Sequence, residues 1–216
     1  MFMAALLLQL ERKQASLRAG NWRPPTESTL LLGKTVGLIA YGRIARAVEA
    51  RLQGWGVTIQ AYDPFVQGTV SLETLLTTSD VVSIQTPRTS QTMGLIGRRE
   101  LAMMKPTAIL INTARGGIVD EVALAEAIDS GQIAGAALDV FAQEPPNMDN
   151  PIFRCDPFKV LLTPHGIGHS VESGPAGAAM AFDHVQRALR GELPGSVINP
   201  EAIPAWQARM VPQIAT

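Results

Sequence analysis

Three side chains suited to acid–base and anion chemistry, Arg115, Glu144 and His165, each follow a short apolar run. Arg115 lies in Asn112-Thr113-Ala114-Arg115-Gly116-Gly117. A guanidinium there can clamp a carboxylate through two parallel hydrogen bonds, and the glycine pair lets the backbone turn sharply beside it. Glu144 stands five residues beyond Asp139 in Asp139-Val140-Phe141-Ala142-Gln143-Glu144-Pro145. His165 is one of three histidines, with His169 and His184, and sits in Thr163-Pro164-His165-Gly166. A carboxylate beside an imidazole fixes its tautomer and stabilises the imidazolium, giving an acid/base near neutral pH. The three types together suit a 2-oxo or 2-hydroxy acid. The arginine holds the carboxylate and polarises the carbonyl, the histidine moves the proton, and a cofactor carries the hydride. Each residue also has a plainer reading: a surface arginine in a turn, solvated loop acids, a structural histidine.

A second pattern concerns phosphate. Val36-Gly37-Leu38-Ile39-Ala40-Tyr41-Gly42-Arg43-Ile44-Ala45 reads as a strand, a turn and the start of a helix. This is the place for G-x-G-x-x-G, whose glycines make the tight turn, admit the pyrophosphate and let helix and strand pack closely. Here the pattern is Ala40-x-Gly42-x-x-Ala45, and only the phosphate-side glycine, Gly42, is kept. Alone it is equally an ordinary strand–helix turn. Asp63 adds context, because it lies 21 residues beyond Gly42, after the next strand. An acid there can accept both adenosine ribose hydroxyls and repel a 2′-phosphate, which favours NAD over NADP. The plainer reading makes Asp63 a turn-former before Pro64.

Positioning these groups needs alternating strands and helices. Strands are expected at 35–40, 57–62, 81–85, 108–112, 135–140 and 160–162, mostly as continuous apolar runs that suit parallel strands buried on both faces. Helices are expected at 44–52, 72–77, 99–103 and 121–130, the last with Asp120 as N-cap and Gly131 just past its end. The alternation predicts an α/β fold with a Rossmann-type doubly wound parallel sheet. One helix over 2–18 precedes it and another over 174–190 follows, with an irregular tail from 193 to 216.

Composition narrows the function classes. The chain has 216 residues, 46% hydrophobic and 17% charged, with a net charge of −1. That balance supports a core and argues against a nucleic-acid binder driven by phosphate neutralisation. One cysteine, Cys155, excludes an internal disulfide framework and a cysteine-rich zinc site. No metal site and no membrane partner are expected, since the apolar start at residues 1–10 is short of the ~20 residues a spanning helix needs. Its positive charge follows the apolar run, unlike a secretory signal, so the expected location is cytoplasmic.

Taken in order, these segments resemble the NAD-dependent D-isomer-specific 2-hydroxyacid dehydrogenases. The resemblance runs from about Leu31 to Pro200 and includes Ser79-Asp80-Val81-Val82-Ser83, Gly94-Leu95-Ile96-Gly97, Met104-Lys105-Pro106 and Ala136-Ala137-Leu138-Asp139-Val140-Phe141. It implies the catalytic roles for Arg115, Glu144 and His165. On the cofactor side it implies Tyr41, Gly42, Arg43 and Ile44 near the pyrophosphate, Asp63 on the ribose, and Pro87. Toward the nicotinamide it implies Thr113, Ala114 and Asp139, with Arg115, His165 and Gly168 also reaching the cofactor. A small-molecule 2-hydroxy or 2-oxo acid partner and a homodimer are implied too.

The departures are specific. Ala40 and Ala45 replace glycines, although related formate dehydrogenases also carry alanine at the first position. Gln85 stands where many members have histidine, and Gly166-Ile167-Gly168-His169 differs from the usual Ile-Gly-Gly. Family members begin with a substrate domain of ~100 residues, whereas the match here starts inside what resembles the interdomain helix. The expected organisation is therefore helix and linker at 1–25, an NAD-binding domain at 26–170, and a helix and tail at 171–216 that would return to a substrate domain. Two alternatives accompany the dehydrogenase reading: a non-catalytic, co-repressor-like NAD-binding or oligomerising module, and a degraded remnant.

Overall fold

The computed structural model describes residues 1–23, 25 and 28–210. Six parallel strands form one sheet: β1 Thr35–Ile39, β2 Thr58–Tyr62, β3 Val81–Ile84, β4 Ile109–Asn112, β5 Gly135–Leu138 and β6 Val160–Leu162. Their spatial order is β2-β1-β3-β4-β5-β6. The chain leaves β1 toward β2, then crosses back to lay β3 on the other side of β1. That reversal opens a crevice at the carboxyl ends of β1 and β3, where sheets of this kind receive ligands.

Side chains alternate between two apolar layers, as the two-residue strand period requires. Ile39, Val82, Ile84, Leu110, Ala136 and Leu138 face one core. There they meet Leu75 and Leu76 of α4 (Leu72–Thr78), Leu101 of α5 (Arg98–Met103), and Leu124 and Ile128 of α6 (Glu121–Asp129). Val36, Leu38, Val81, Ile109, Ile111 and Ala137 face the other core. This second face is covered by Phe2, Leu6 and Leu7 of α1 (Phe2–Leu7) and by Ala45 of α3 (Arg43–Leu52). Burial on both faces explains why most of the strands read as continuous apolar runs, while edge strand β2, with only Ala61 buried, carries Thr58 and Gln60. Phe2, Leu6 and Leu7, from the segment expected as an interdomain-type helix, thus supply core side chains to the sheet unit.

Two local expectations are corrected. The single helix over 2–18 is two, because Gln9 adopts φ 51° between α1 and α2 (Leu10–Arg18). The cause is remote: the Thr29 N–H donates to Leu7 O at 2.8 Å and the Ser28 hydroxyl to Leu8 O at 3.0 Å, so the end of α1 is tied to a later segment. The apolar stripe also ends there, and α2 buries none of its residues. The tail, expected to be irregular, holds a 3₁₀ turn at Pro200–Ala202 and a helix, which after α7 (Ser173–Leu189) is α8 (Ile203–Met210). Two of its prolines, Pro200 and Pro204, lie in first turns, where a missing N–H breaks no helical bond. The rest of that tail, 211–216, lies outside the described residues. The chain divides into two compact units, Met1–Ile167 and Gly168–Thr216, and the candidate site belongs to the first.

Candidate functional site

The turn after β1 is held from two sides. Ala40 sits at φ +71°, the left-handed region where glycine is favoured. Its N–H donates to Tyr62 O at 2.8 Å, and the next N–H, of Tyr41, donates to Asp63 Oδ2 at 2.8 Å. Asp63 Oδ1 accepts the Phe65 N–H at 2.9 Å. The carboxylate therefore fills the plainer turn-forming role while standing beside the phosphate turn, where the ribose role would put it. The Tyr41 ring lies under the Arg46 guanidinium at 4.3 Å and its hydroxyl donates to Glu49. The bond to Glu49 comes first among the causes that raise the Tyr41 pKa above its ordinary value.

Gly42 is informative for a different reason. Its φ is −82°, open to any residue, and a Cβ there would meet no protein atom within 4 Å. Nothing inside the protein demands glycine. The free space lies at the N-terminus of α3, whose cap carries no side-chain hydrogen bond, so its first N–H groups face outward. Those groups, exposed Ile44 and the adjacent Arg43 suit a dinucleotide pyrophosphate. Asp63 beside them suits an unphosphorylated ribose. Pro87 follows β3 on the other side of the same crevice.

The acid–base residues come from the next three strands. After β4, Asn112 folds its loop onto itself: Oδ1 accepts the Ala114 N–H at 3.1 Å and Nδ2 donates to Arg115 O at 3.0 Å. Arg115 Nη1 donates to Ala114 O at 2.6 Å, and the side chain is exposed. Thr113 lines a cleft of about 400 Å³ with Gln85 and Ile167. Gly116 is buried, and a Cβ on it would lie 1.6 Å from Phe141 O, so this loop sits directly on the loop after β5.

Glu144 and His165 form a pair, with Nδ1 and Oε2 2.8 Å apart. An ionised carboxylate can only accept, so Nδ1 carries the proton and Nε2 is the ring atom left for substrate. Glu144 Oε1 accepts the Phe141 N–H at 3.0 Å. The His165 bond first, then the Phe141 N–H, hold Glu144 below the usual carboxylate range against opposing burial. His165 itself sits at φ +51°. Strain of that kind persists only where surroundings over-determine it.

Asp139 supplies those surroundings. It is 3% exposed. Its Oδ1 accepts the Thr163 hydroxyl at 2.5 Å and the Gly166 N–H at 2.9 Å, and the Ile167 N–H lies 3.2 Å from both oxygens. The carboxylate expected to face the nicotinamide thus clasps both flanks of His165. Gly168 and His169 open the second unit. Sequence reasoning missed Glu121, whose pattern signalled only a helix start, and the self-folding role of Asn112, which as a polar end to an apolar strand did leave a signal. Among the described residues no group of three or more His, Cys, Asp or Glu could hold a metal ion, and no helix is long and apolar enough to cross a membrane.

A parallel sheet whose order reverses beside β1, with a phosphate-type turn after its first strand, has the architecture of a dinucleotide-binding domain. Residues 1–166 match the family model for the D-isomer specific 2-hydroxyacid dehydrogenase, NAD binding domain, and the chain belongs to that family. It is 37% identical to D-3-phosphoglycerate dehydrogenase of Methanocaldococcus jannaschii, over 94% of this chain and 40% of that protein. It is 38% identical to glyoxylate reductase of Thermofilum pendens, over 98% of this chain and 68% of that one. The crystal structure of a D-isomer specific 2-hydroxyacid dehydrogenase from Lactobacillus delbrueckii ssp. bulgaricus, in its NAD-complexed form, superposes with a TM-score of 0.79 at 28% identity, covering 90% of this chain and 66% of that one. The chain thus spans less than half of the phosphoglycerate dehydrogenase it matches. Both the α/β Rossmann-type fold and NAD as the family's cofactor agree with the sequence expectations.

Proposed function

We propose that this chain is the NAD-binding and acid–base half of an oxidoreductase that interconverts a 2-hydroxy acid and a 2-oxo acid. The observation that carries the proposal is the Glu144–His165 pair at 2.8 Å, at the same sheet edge as Arg115. NAD, when bound, supplies the hydride acceptor or donor. Gly42, the first turn of α3 and Arg43 would hold its pyrophosphate and Asp63 its adenosine ribose. Thr113, Ala114 and Pro87 would line its path toward the reacting centre.

Arg115 pairs with the substrate carboxylate and draws electron density from the adjoining carbonyl oxygen. His165 Nε2 takes the hydroxyl proton in oxidation and returns it in reduction. Glu144 holds the ring and stabilises the imidazolium between those events. The working unit in this proposal is a homodimer in a reducing compartment, the cytoplasm, where a thiol such as Cys155 stays free.

The test is a titration with NADH that follows quenching of Trp22, Trp55 and Trp206, then turnover with a panel of 2-oxo acids. Expected are saturable binding that NADPH does not match, weakening in Gly42→Val, and turnover that falls ~10²–10⁴-fold in His165→Ala with binding kept. A folded chain that binds no NADH overturns the reading. NADH binding with no turnover, even with a substrate domain supplied, reduces it to the NAD-binding module.

A further inference from the structure

Glu121 is a buried acid outside the trio, and its contacts converge on one peptide unit of the site. It stands in the first turn of α6 and is 9% exposed. Its Oε1 accepts the Ala142 N–H at 2.6 Å, and its Oε2 accepts from the Asn150 side-chain amide. Asn150 Oδ1 is turned the other way, onto the Ile152 N–H at 3.1 Å. The Ala142 N–H belongs to the Phe141–Ala142 peptide. The oxygen of that same peptide, Phe141 O, is the atom against which Gly116 packs without room for a Cβ. The preceding N–H, of Phe141, donates to Glu144 Oε1. One peptide unit is thus fixed at its N–H by Glu121 and at its C=O by the arginine loop, and its neighbour holds Glu144.

We infer that Glu121 is a positioning residue: from α6 it fixes the Phe141–Ala142 peptide and so sets the Glu144 carboxylate against His165 and beside the Arg115 loop. This rests on the reading of Glu144 and His165 as the acid–base pair. A carboxylate fits the task better than an amide, because both groups facing it are donors. With glutamine at 121, one donor would face the Asn150 amide, and Asn150 could turn its oxygen inward only by releasing Ile152. Aspartate at 150 removes that conflict, since a carboxylate accepts from both the glutamine and Ile152.

The experiment uses the full chain, isotope-labelled and without ligand, so its outcome is independent of turnover. Amide exchange at Ala142 and the carboxyl NMR titration of Glu144 are read in the wild type, in Glu121→Ala, and in the double variant Glu121→Gln with Asn150→Asp. Asp80, at the opposite sheet edge, is the control. His165 and Asp139 are the charged or titratable groups that bear on Glu144 electrostatically, and neither is altered. Expected for Glu121→Ala are Ala142 exchange at least about tenfold faster, the loss of one hydrogen bond to a charged acceptor, and a Glu144 midpoint shifted up toward the ordinary carboxylate range, with Asp80 unmoved. The double variant keeps the wild-type values. The inference is overturned if Glu144 keeps its midpoint in Glu121→Ala, or if Asp80 moves with it, which would mark general loosening. Should Glu121→Ala fail to fold, the double variant decides: protected Ala142 with a depressed Glu144 supports the inference, and loss of either refutes it. Failure of the NADH and 2-oxo acid assays would leave these readouts unchanged and count only against the catalytic reading.

Discussion

The turn after β1 and the loops after β4, β5 and β6 share one edge of the sheet, yet they tolerate sequence change differently. The turn keeps its shape around Ala40 at φ +71°. Two backbone N–H groups, of Ala40 and Tyr41, are tied to the Tyr62 carbonyl at the end of the neighbouring strand and to the Asp63 carboxylate just beyond it. With the next strand holding the turn, the glycine that would relax it becomes dispensable. Around the acid–base loops, by contrast, polar side chains hold loop backbone, Glu121 and Asp139 across 21 and 27 residues and Asn112 and Glu144 within three. Each such tie serves a loop that no strand pairs with. Chemistry at that edge needs fixed atoms, and the fixing is done by polar side chains, Asn112, Glu121 and Asp139 among them buried, rather than by backbone pairing.

The sharpest way to break the comparison is to add one methyl group on each side of it. Gly116→Ala puts a Cβ on Phe141 O, a backbone atom that cannot step aside. Overpacking of this kind typically costs ~1–3 kcal/mol, and against backbone the expected loss is at or above the top of that range. Gly42→Ala meets no protein atom, so its stability should be unchanged while NADH binding weakens. Chemical denaturation of both variants checks this. Equal stability losses would mean that the two regions are equally packed.

Asp139→Ala comes next. It leaves the Thr163 hydroxyl and the Gly166 and Ile167 N–H groups without their shared acceptor in a site 3% exposed. Loss of hydrogen bonds to a buried charged group suggests ~2–3 kcal/mol. Exchange at Gly166 and Ile167 should rise with it, while exchange at Tyr41 stays as it was. A variant as stable as the wild type, with His165 still paired to Glu144, would show that backbone strain at His165 needs no such clasp.

Ala40→Gly probes the tolerant side and should stabilise. An L-residue in the left-handed region costs ~1–2 kcal/mol. Glycine returns ~0.4–1 kcal/mol of that through the freer unfolded chain. The expected net gain is about 0.5–1 kcal/mol, visible as a raised denaturation midpoint at unchanged slope. A loss instead would mean that the Tyr62 and Asp63 ties, rather than the alanine, set the energy of the turn.

The same contrast explains what could be read in the sequence. Six strands were legible because most are short apolar runs between turn residues, and the start of α6 because Asp120 caps it by bonds to Val122 and Ala123. Arg115, Glu144 and His165 were legible as residue types at strand ends. The break at Gln9 was not, because its cause lies 20 residues on, at Ser28 and Thr29. Nor was Glu121, whose partners are 21 and 29 residues away. Such ties carry no local spacing, so only the folded sheet brings them together.

The smallest expected effect concerns pH. Glu144 is held below its ordinary value by the His165 bond and then by the Phe141 N–H. A carboxylate depressed in the folded state adds stability above its unfolded value, near ~4.3, and that stability is lost as pH falls through the lower folded value. The Glu144 and His165 side chains are 38% and 48% exposed, so solvent screens the pair and the step should stay below about 1 kcal/mol. Asp80 titrates on the same limb. Burial raises it, but the Thr35 N–H and Lys105 outweigh burial and hold it low. Unfolding followed from pH 7 downward in the wild type, Glu144→Gln and Asp80→Asn separates the two. Glu144→Gln should lose the shallower step and Asp80→Asn the steeper one, because Asp80 is only 17% exposed. The reverse order would make the acid–base edge the more tightly held of the two at low pH. The Glu144–His165 pair would then be a structural tie first and a proton carrier second.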